Sequence, residues 1–226
     1  MRAIVRALCV FVISLSAFAG GLASLTNSQA TTGLRQALDQ GARAAVDQLG
    51  QSGGFLNNPK VRIPLPSVLE QTRSVLKFMG KGDDLEALET TMNRAAEAAV
   101  PEARNLLVAA VKQMSVQDAK NILAGGDDSV TRYFEEKTRA ALTTRFLPVV
   151  TKQTDRLALS GQYNALAGKA AGAGLLKGDE VSVERYVTAK ALDGLYLTIA
   201  EQERAIRANP LQAAGSLAKK VFGALR

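Results

Sequence analysis

The chain contains no histidine and no tryptophan, and it has a single cysteine, Cys9. Without histidine there is no Ser-His-Asp triad, no Cys-His dyad, no HExxH zinc hydrolase and no imidazole that switches charge near neutral pH. One cysteine excludes an intramolecular disulfide and a cysteine-ligated zinc site. Aromatic residues are only 5% of the chain, so a core must be built from aliphatic side chains and alanine. Charges of one sign form no block, and no internal repeat is apparent. No alternating polar and apolar run is longer than Val61 to Leu65, which argues against a sheet.

What is present is an ordinary globular composition: 226 residues, 47% hydrophobic and 22% charged. That is too apolar for a disordered chain and too charged for a multi-span membrane protein. The length suits one domain with a proper core. At the start, Arg2 and Arg6 precede an uncharged apolar stretch from Ala7 to Ala19. Ala17-Phe18-Ala19 and Gly21-Leu22-Ala23 each offer a small-x-small cleavage site. Residues 1–23 are thus expected to be a signal peptide cut after Ala19 or Ala23, with residues 24–226 forming a single exported, periplasmic helical domain. Cys9 sits at the start of the apolar run, the wrong end for a lipoprotein, and cleavage would remove it. Removing Arg2 and Arg6 from the 28 basic residues leaves 26 against 21 acidic, a net charge of +5. Scattered over an exported protein, this charge supports weak association with an anionic membrane surface and does not indicate nucleic acid binding.

Helix signals dominate, and the expected fold is all-α: a bundle of about eight helices with one extended proline-containing arm at residues 53–66. Asn27 can cap a helix running to Leu49, closed by Gly50, with Leu34, Leu38, Ala42, Ala45 and Leu49 on one face. The arm holds Gly53-Gly54-Phe55-Leu56 and Ile63-Pro64-Leu65-Pro66, whose prolines force extended neighbours. Ser67 and Glu70 read as a capping box for a helix ending at Gly80. Asp83 opens the next helix, which is kinked or restarted at Pro101 and reaches Met114. Ser115 with Asp118 caps a short helix closed by Gly125 and Gly126, and Asp127 or Asp128 caps one running towards Pro148. Another follows to Leu159. Glycines interrupt residues 161–179, the segment expected to be most mobile. Ser182 starts a long helix that Pro210 ends, before a short C-terminal helix.

Several phrases occur together in order: Gly53-Gly54-Phe55-Leu56, Ile63-Pro64-Leu65-Pro66, Met92-Asn93-Arg94-Ala95-Ala96-Glu97-Ala98-Ala99-Val100-Pro101, Asp118-Ala119-Lys120-Asn121-Ile122-Leu123, Gly126-Asp127-Asp128, Thr131-Arg132-Tyr133-Phe134, Tyr186-Val187-Thr188-Ala189-Lys190-Ala191-Leu192-Asp193-Gly194-Leu195 and Ile206-Arg207-Ala208-Asn209-Pro210. The set resembles the bacterial family catalogued as domain of unknown function 4197. The resemblance implies export in Gram-negative bacteria and a single domain; it supplies no activity, ligand or catalytic residue.

Several polar residues need a reason. Asn93, Arg94 and Glu97 share a helix face among alanines, and form either a patch lining a cleft or a buried network fixing helix register. Lys190 and Asp193, with Tyr186 one turn earlier, form either a base with its partner or a helix–helix salt bridge. Asp127 and Asp128, near Tyr133, could meet a hard cation with Asp118, but the ligand count is too low for calcium, and helix capping accounts for both. Glu203 and Arg207 read as an exposed i,i+4 support. Phe55, Leu56, Ile63 and Leu65, with Leu175 and Leu176, form either the mouth of an apolar pocket or a partner-binding surface, or else a lid on the core. No cofactor or metal is implied and no catalytic residue is identified. The leading functional reading is a non-enzymatic protein that binds an apolar small ligand or a protein partner. Its alternatives are an enzyme using carboxylate and lysine chemistry around Asn93, Arg94, Glu97 and Lys190, and a membrane-surface structural factor.

Overall fold

The computed structural model describes residues 27–173, 178–209 and 216–223. The expected leader, Leu175, Leu176 and Pro210 lie outside the described residues. Helix α1 (Asn27–Gly50) buries Leu34, Leu38, Ala42, Ala45 and Leu49, the stripe that its spacing requires. A short, broken stretch, α2 (Ser67–Gln71) and α3 (Arg73–Phe78), leads into α4 (Gly82–Ala99). At Pro101 the chain tightens into a 3-10 turn, Val100–Glu102, and restarts as α5 (Ala103–Gln113). Ser115 and Asp118 form the expected capping box on α6 (Val116–Ala124). The remaining helices are α7 (Ser129–Thr154), α8 (Ala158–Gly172), α9 (Val183–Ala208) and α10 (Ser216–Gly223). No strand occurs among the described residues.

Helices α7 and α9 pack along one another at the centre, with α4 against both and α1 against α9 and α5; α10 closes over α1. The core they enclose is aliphatic, with many alanines and with Phe55, Phe134 and Phe146 fully buried. Alanines 95, 96 and 99 on α4 let neighbouring backbone approach closely.

Four local expectations need correction. Ser67 and Glu70 make no capping box: Pro66 precedes the helix, Ser67 donates its hydroxyl to Glu180 at 2.6 Å, and Glu70 holds Arg73. Pro148 does not end a helix; α7 runs through it, losing only the bond to Thr144's carbonyl, because Phe146 and Val150 are both anchored in the core. Of the glycine-interrupted residues 161–179, those up to Gly172 are helical, with Tyr163 and Ala167 buried, and 174–177 lie outside the described residues. Only residues 62–66 of the arm are extended; from Gln51 to Arg62 the chain coils in successive turns, including the bonds from Asn57 N–H to the Gly53 carbonyl and from Arg62 N–H to the Asn58 carbonyl. Gly53 takes a φ of 86°, the left-handed conformation that the first turn requires.

Candidate functional site

The arm lies across α4 and is held there by two side chains of that helix. Asn93 is fully buried and uses both ends of its amide on Ile63: Oδ1 accepts from the Ile63 N–H at 2.8 Å, and Nδ2 donates to the Ile63 carbonyl at 2.9 Å. The same Nδ2 also donates to the Glu89 carbonyl at 2.8 Å. One turn on, Glu97 Oε1 accepts from the N–H groups of Phe55 and Leu56, each at 3.1 Å. Its Oε2 accepts from Arg94 at 2.7 Å, and Arg94 also reaches Ser52. Burial pushes the Glu97 carboxyl up, but the N–H of Leu56, the Arg94 guanidinium and the N–H groups of Gly53 and Phe55 outweigh it and hold the group below the ordinary glutamate range.

With its backbone satisfied, the arm delivers apolar side chains inward. Phe55, Ile63 and Leu65 are buried and Leu56 is half-buried, so these four side chains cover the core. Phe55 packs against Gly194 of α9, where a Cβ would come within 2.7 Å of its ring.

Two further buried carboxylates follow the same logic. Glu203 is not an exposed support: it is 4% exposed and accepts from the N–H groups of Val130 and Thr131 at 3.2 and 3.3 Å, the first turn of α7. Arg207 closes the site at 2.9 Å and also donates to the Ile122 carbonyl and to Ser129. Glu203 therefore performs the capping expected of Asp127 or Asp128. Both aspartates are exposed; Asp128 pairs with Arg132 and makes no capping bond. Burial pushes the Glu203 carboxyl up, and the donors around it offset this only in part. Glu184, 8% exposed, accepts from Thr154, Ser160 and Asn164, while Asn164 takes the Val183 N–H at 2.9 Å. This ties the end of α7 to α8 and to the start of α9.

The structure scatters the remaining candidates. Tyr133 donates to the Ala110 carbonyl at 2.8 Å, which ties α7 to α5. Asp193 pairs with Arg139 of α7 at 3.0 Å and not with Lys190. Lys190 is exposed and lies 5.8 Å from the Tyr186 ring centre. Arg139 also pairs with Glu135 and stacks over Tyr196. Asn93, Arg94 and Glu97 form one group on α4, remote in role from Lys190 and Asp193 on α9. No nucleophile, base and orienting group come together in this set. Among the described residues no group of three or more acidic or cysteine side chains is placed to hold a metal.

Among the described residues a hollow of about 380 Å³ lies beside Tyr133, Asp118 and Lys137, and two further features stand out. The first is a crevice of about 450 Å³ between α7 and α9, lined by Arg139, Thr143 and Leu147 of α7, by Arg185, Thr188, Ala189 and Leu192 of α9, and by Asp179. The second is the outer edge of α2 and α3, where Val75 is 61%, Met79 67% and Phe78 95% exposed.

An all-α bundle whose buried polar side chains serve as internal staples is the class these observations define. Within it, the chain belongs to the family described as protein of unknown function (DUF4197), whose model matches residues 24–223. Comparison with curated proteins and with solved structures returns no match. No helix among the described residues is long and apolar enough to cross a membrane.

Proposed function

We propose that this protein is a non-enzymatic, periplasmic binding protein whose ligand site is the crevice between α7 and α9. The observation that carries the reading is a contrast in how polar groups are used. Asn93, Glu97, Glu184 and Glu203 are consumed by backbone N–H groups and neighbouring side chains, whereas the crevice keeps an apolar wall of Leu147, Ala189 and Leu192 beneath a polar rim. Its volume lies in the range of small-ligand sites, about 300–1,000 Å³. Export rests on the basic and then apolar first residues with their two small-x-small sites.

The test is a titration of the purified mature chain with 3-methylbutanol, a small apolar probe, followed by amide chemical shifts. The reading expects saturable shifts confined to residues such as Leu147, Ala189 and Leu192, lost in Leu147→Arg. Shifts that scatter over the surface or never saturate would overturn it.

A protein partner is a second reading, supported by Phe78. A convex apolar tip does not enclose a small molecule but fits a groove on another protein. Around it, Glu70, Asp83, Asp84 and Glu86 outnumber Arg73, Lys77 and Lys81 by one, and several of them are already paired, which gives no net attraction to an anionic membrane. A photo-reactive side chain placed at Phe78 should yield one discrete protein adduct in cells that the same group at exposed Arg145 does not.

A further inference from the structure

We propose that the crevice between α7 and α9 takes a small zwitterion with an aliphatic group, of the α-amino acid type; this rests on the ligand-site reading above and names the chemistry recognised there. Only two buried side-chain polar atoms among the described residues lack a hydrogen-bond partner: Arg35 Nε and Thr188 Oγ1. Arg35 already donates from its other nitrogen to the Met114 carbonyl. Thr188 has no such outlet. It is 2% exposed and lines the crevice. Thr138, Thr143, Thr144, Thr151 and Thr154 of α7 and Thr198 of α9 each return their hydroxyl to the carbonyl four residues back. Thr188, on the same kind of helix, does not. A buried hydroxyl left unpaired costs free energy; the Thr188 hydroxyl is itself shielded from solvent in the crevice wall, so a ligand oxygen relieves that cost only where it settles against this wall.

The charges at the mouth select the rest of the ligand. Arg139 is held by Glu135 and Asp193, so it is not available. Arg185 and Asp179 are exposed on the rim and form no ion pair among the described residues, although opposite charges elsewhere on this surface pair repeatedly. One guanidinium and one carboxylate at a single mouth, neither paired among the described residues, match one carboxylate and one ammonium. Leu147, Ala189 and Leu192 then face the aliphatic group. A dianion or a simple cation would leave one of the two rim charges opposed.

The experiment compares L-leucine with 4-methylpentanoate, which lacks the ammonium, and 3-methylbutylamine, which lacks the carboxylate, by amide shifts on the full mature chain. Leucine should bind about tenfold more tightly than either, the scale of one charge-assisted hydrogen bond. Thr188→Val should weaken leucine about tenfold without lowering thermal stability, since it removes an unsatisfied hydroxyl. Asp179→Ala should weaken leucine and leave 4-methylpentanoate unchanged; Arg185→Ala should weaken leucine and leave 3-methylbutylamine unchanged. Leucine binding no tighter than either analogue, or unaffected by Thr188→Val, would overturn the zwitterion while 3-methylbutanol binding keeps the site itself. Absence of binding by all four probes removes both.

Discussion

Replacing Glu97 by alanine strips the acceptor from two backbone N–H groups, those of Phe55 and Leu56. Leaving a buried donor unpaired costs about 1–3 kcal/mol, so the pair costs about 2–6 kcal/mol. Arg94 adds little, because its side chain is 43% exposed and water replaces the lost carboxylate. Relief of the carboxylate's own burial returns part of the loss, which leaves a net destabilisation of about 2–5 kcal/mol. That is a large share of the stability of a domain this size, typically about 5–15 kcal/mol. Glu97→Gln keeps a neutral acceptor and should cost about 1–2 kcal/mol. Urea denaturation followed by helical circular dichroism at pH 7 measures both. The pH dependence gives a second check. Because the folded carboxyl is held below the ordinary range, its stabilisation is complete above the unfolded value of about 4.3 and is lost as pH falls through the folded value. The gap between wild type and Glu97→Gln should therefore close in acid. A cost for Glu97→Ala no greater than that of the exposed Glu86→Ala, or a gap that widens on acidification, would refute the stapling role.

Gly194→Ala should lower stability by about 1–3 kcal/mol, read as a drop in melting temperature, because the new methyl meets the Phe55 ring and the ring is locked under the arm. A titration followed on side-chain carboxyl carbons should find Glu203 above the ordinary glutamate value and Glu97 below it. For Glu203 the sign is opposite to that of Glu97: its burial costs stability above the raised folded value, and the cost is relieved as pH falls through it. Phe78→Asp should leave stability within about 0.5 kcal/mol, since the ring touches little, while abolishing any adduct formed by a photo-reactive group placed at the neighbouring exposed Met79. Amino-terminal sequencing of the exported protein should begin at Gly20 or Ser24.

The helices were legible where the residues act locally. The stripe on α1, the Ser115–Asp118 box, the break at Pro101 and the Ser182 start each depend on neighbours within a turn or two. The pairing of Asn93 with Glu97 was legible as a polar face among alanines, but not its target, because Phe55, Leu56 and Ile63 are some 30–42 residues away and offer only backbone N–H and carbonyl groups. Glu203 and Glu184 were misread or missed for the same reason. An i,i+4 carboxylate and arginine look alike on an exposed and a buried face, and only the approach of α7 distinguishes them. Pro148 and the glycines of α8 show tertiary burial overriding local propensity. The crevice left no mark in the sequence, since its walls come from two helices, α7 and α9, that are distant along the chain.

Native-state hydrogen exchange at three amides tests the central claim most directly. If Glu97 and Asn93 bind the arm into the core, the N–H groups of Phe55, Leu56 and Ile63 should exchange only with unfolding of the whole domain, as slowly as amides of Leu192 and Leu195 on α9. Exchange of these three at the rate of a solvent-exposed turn, with α9 still protected, would contradict it.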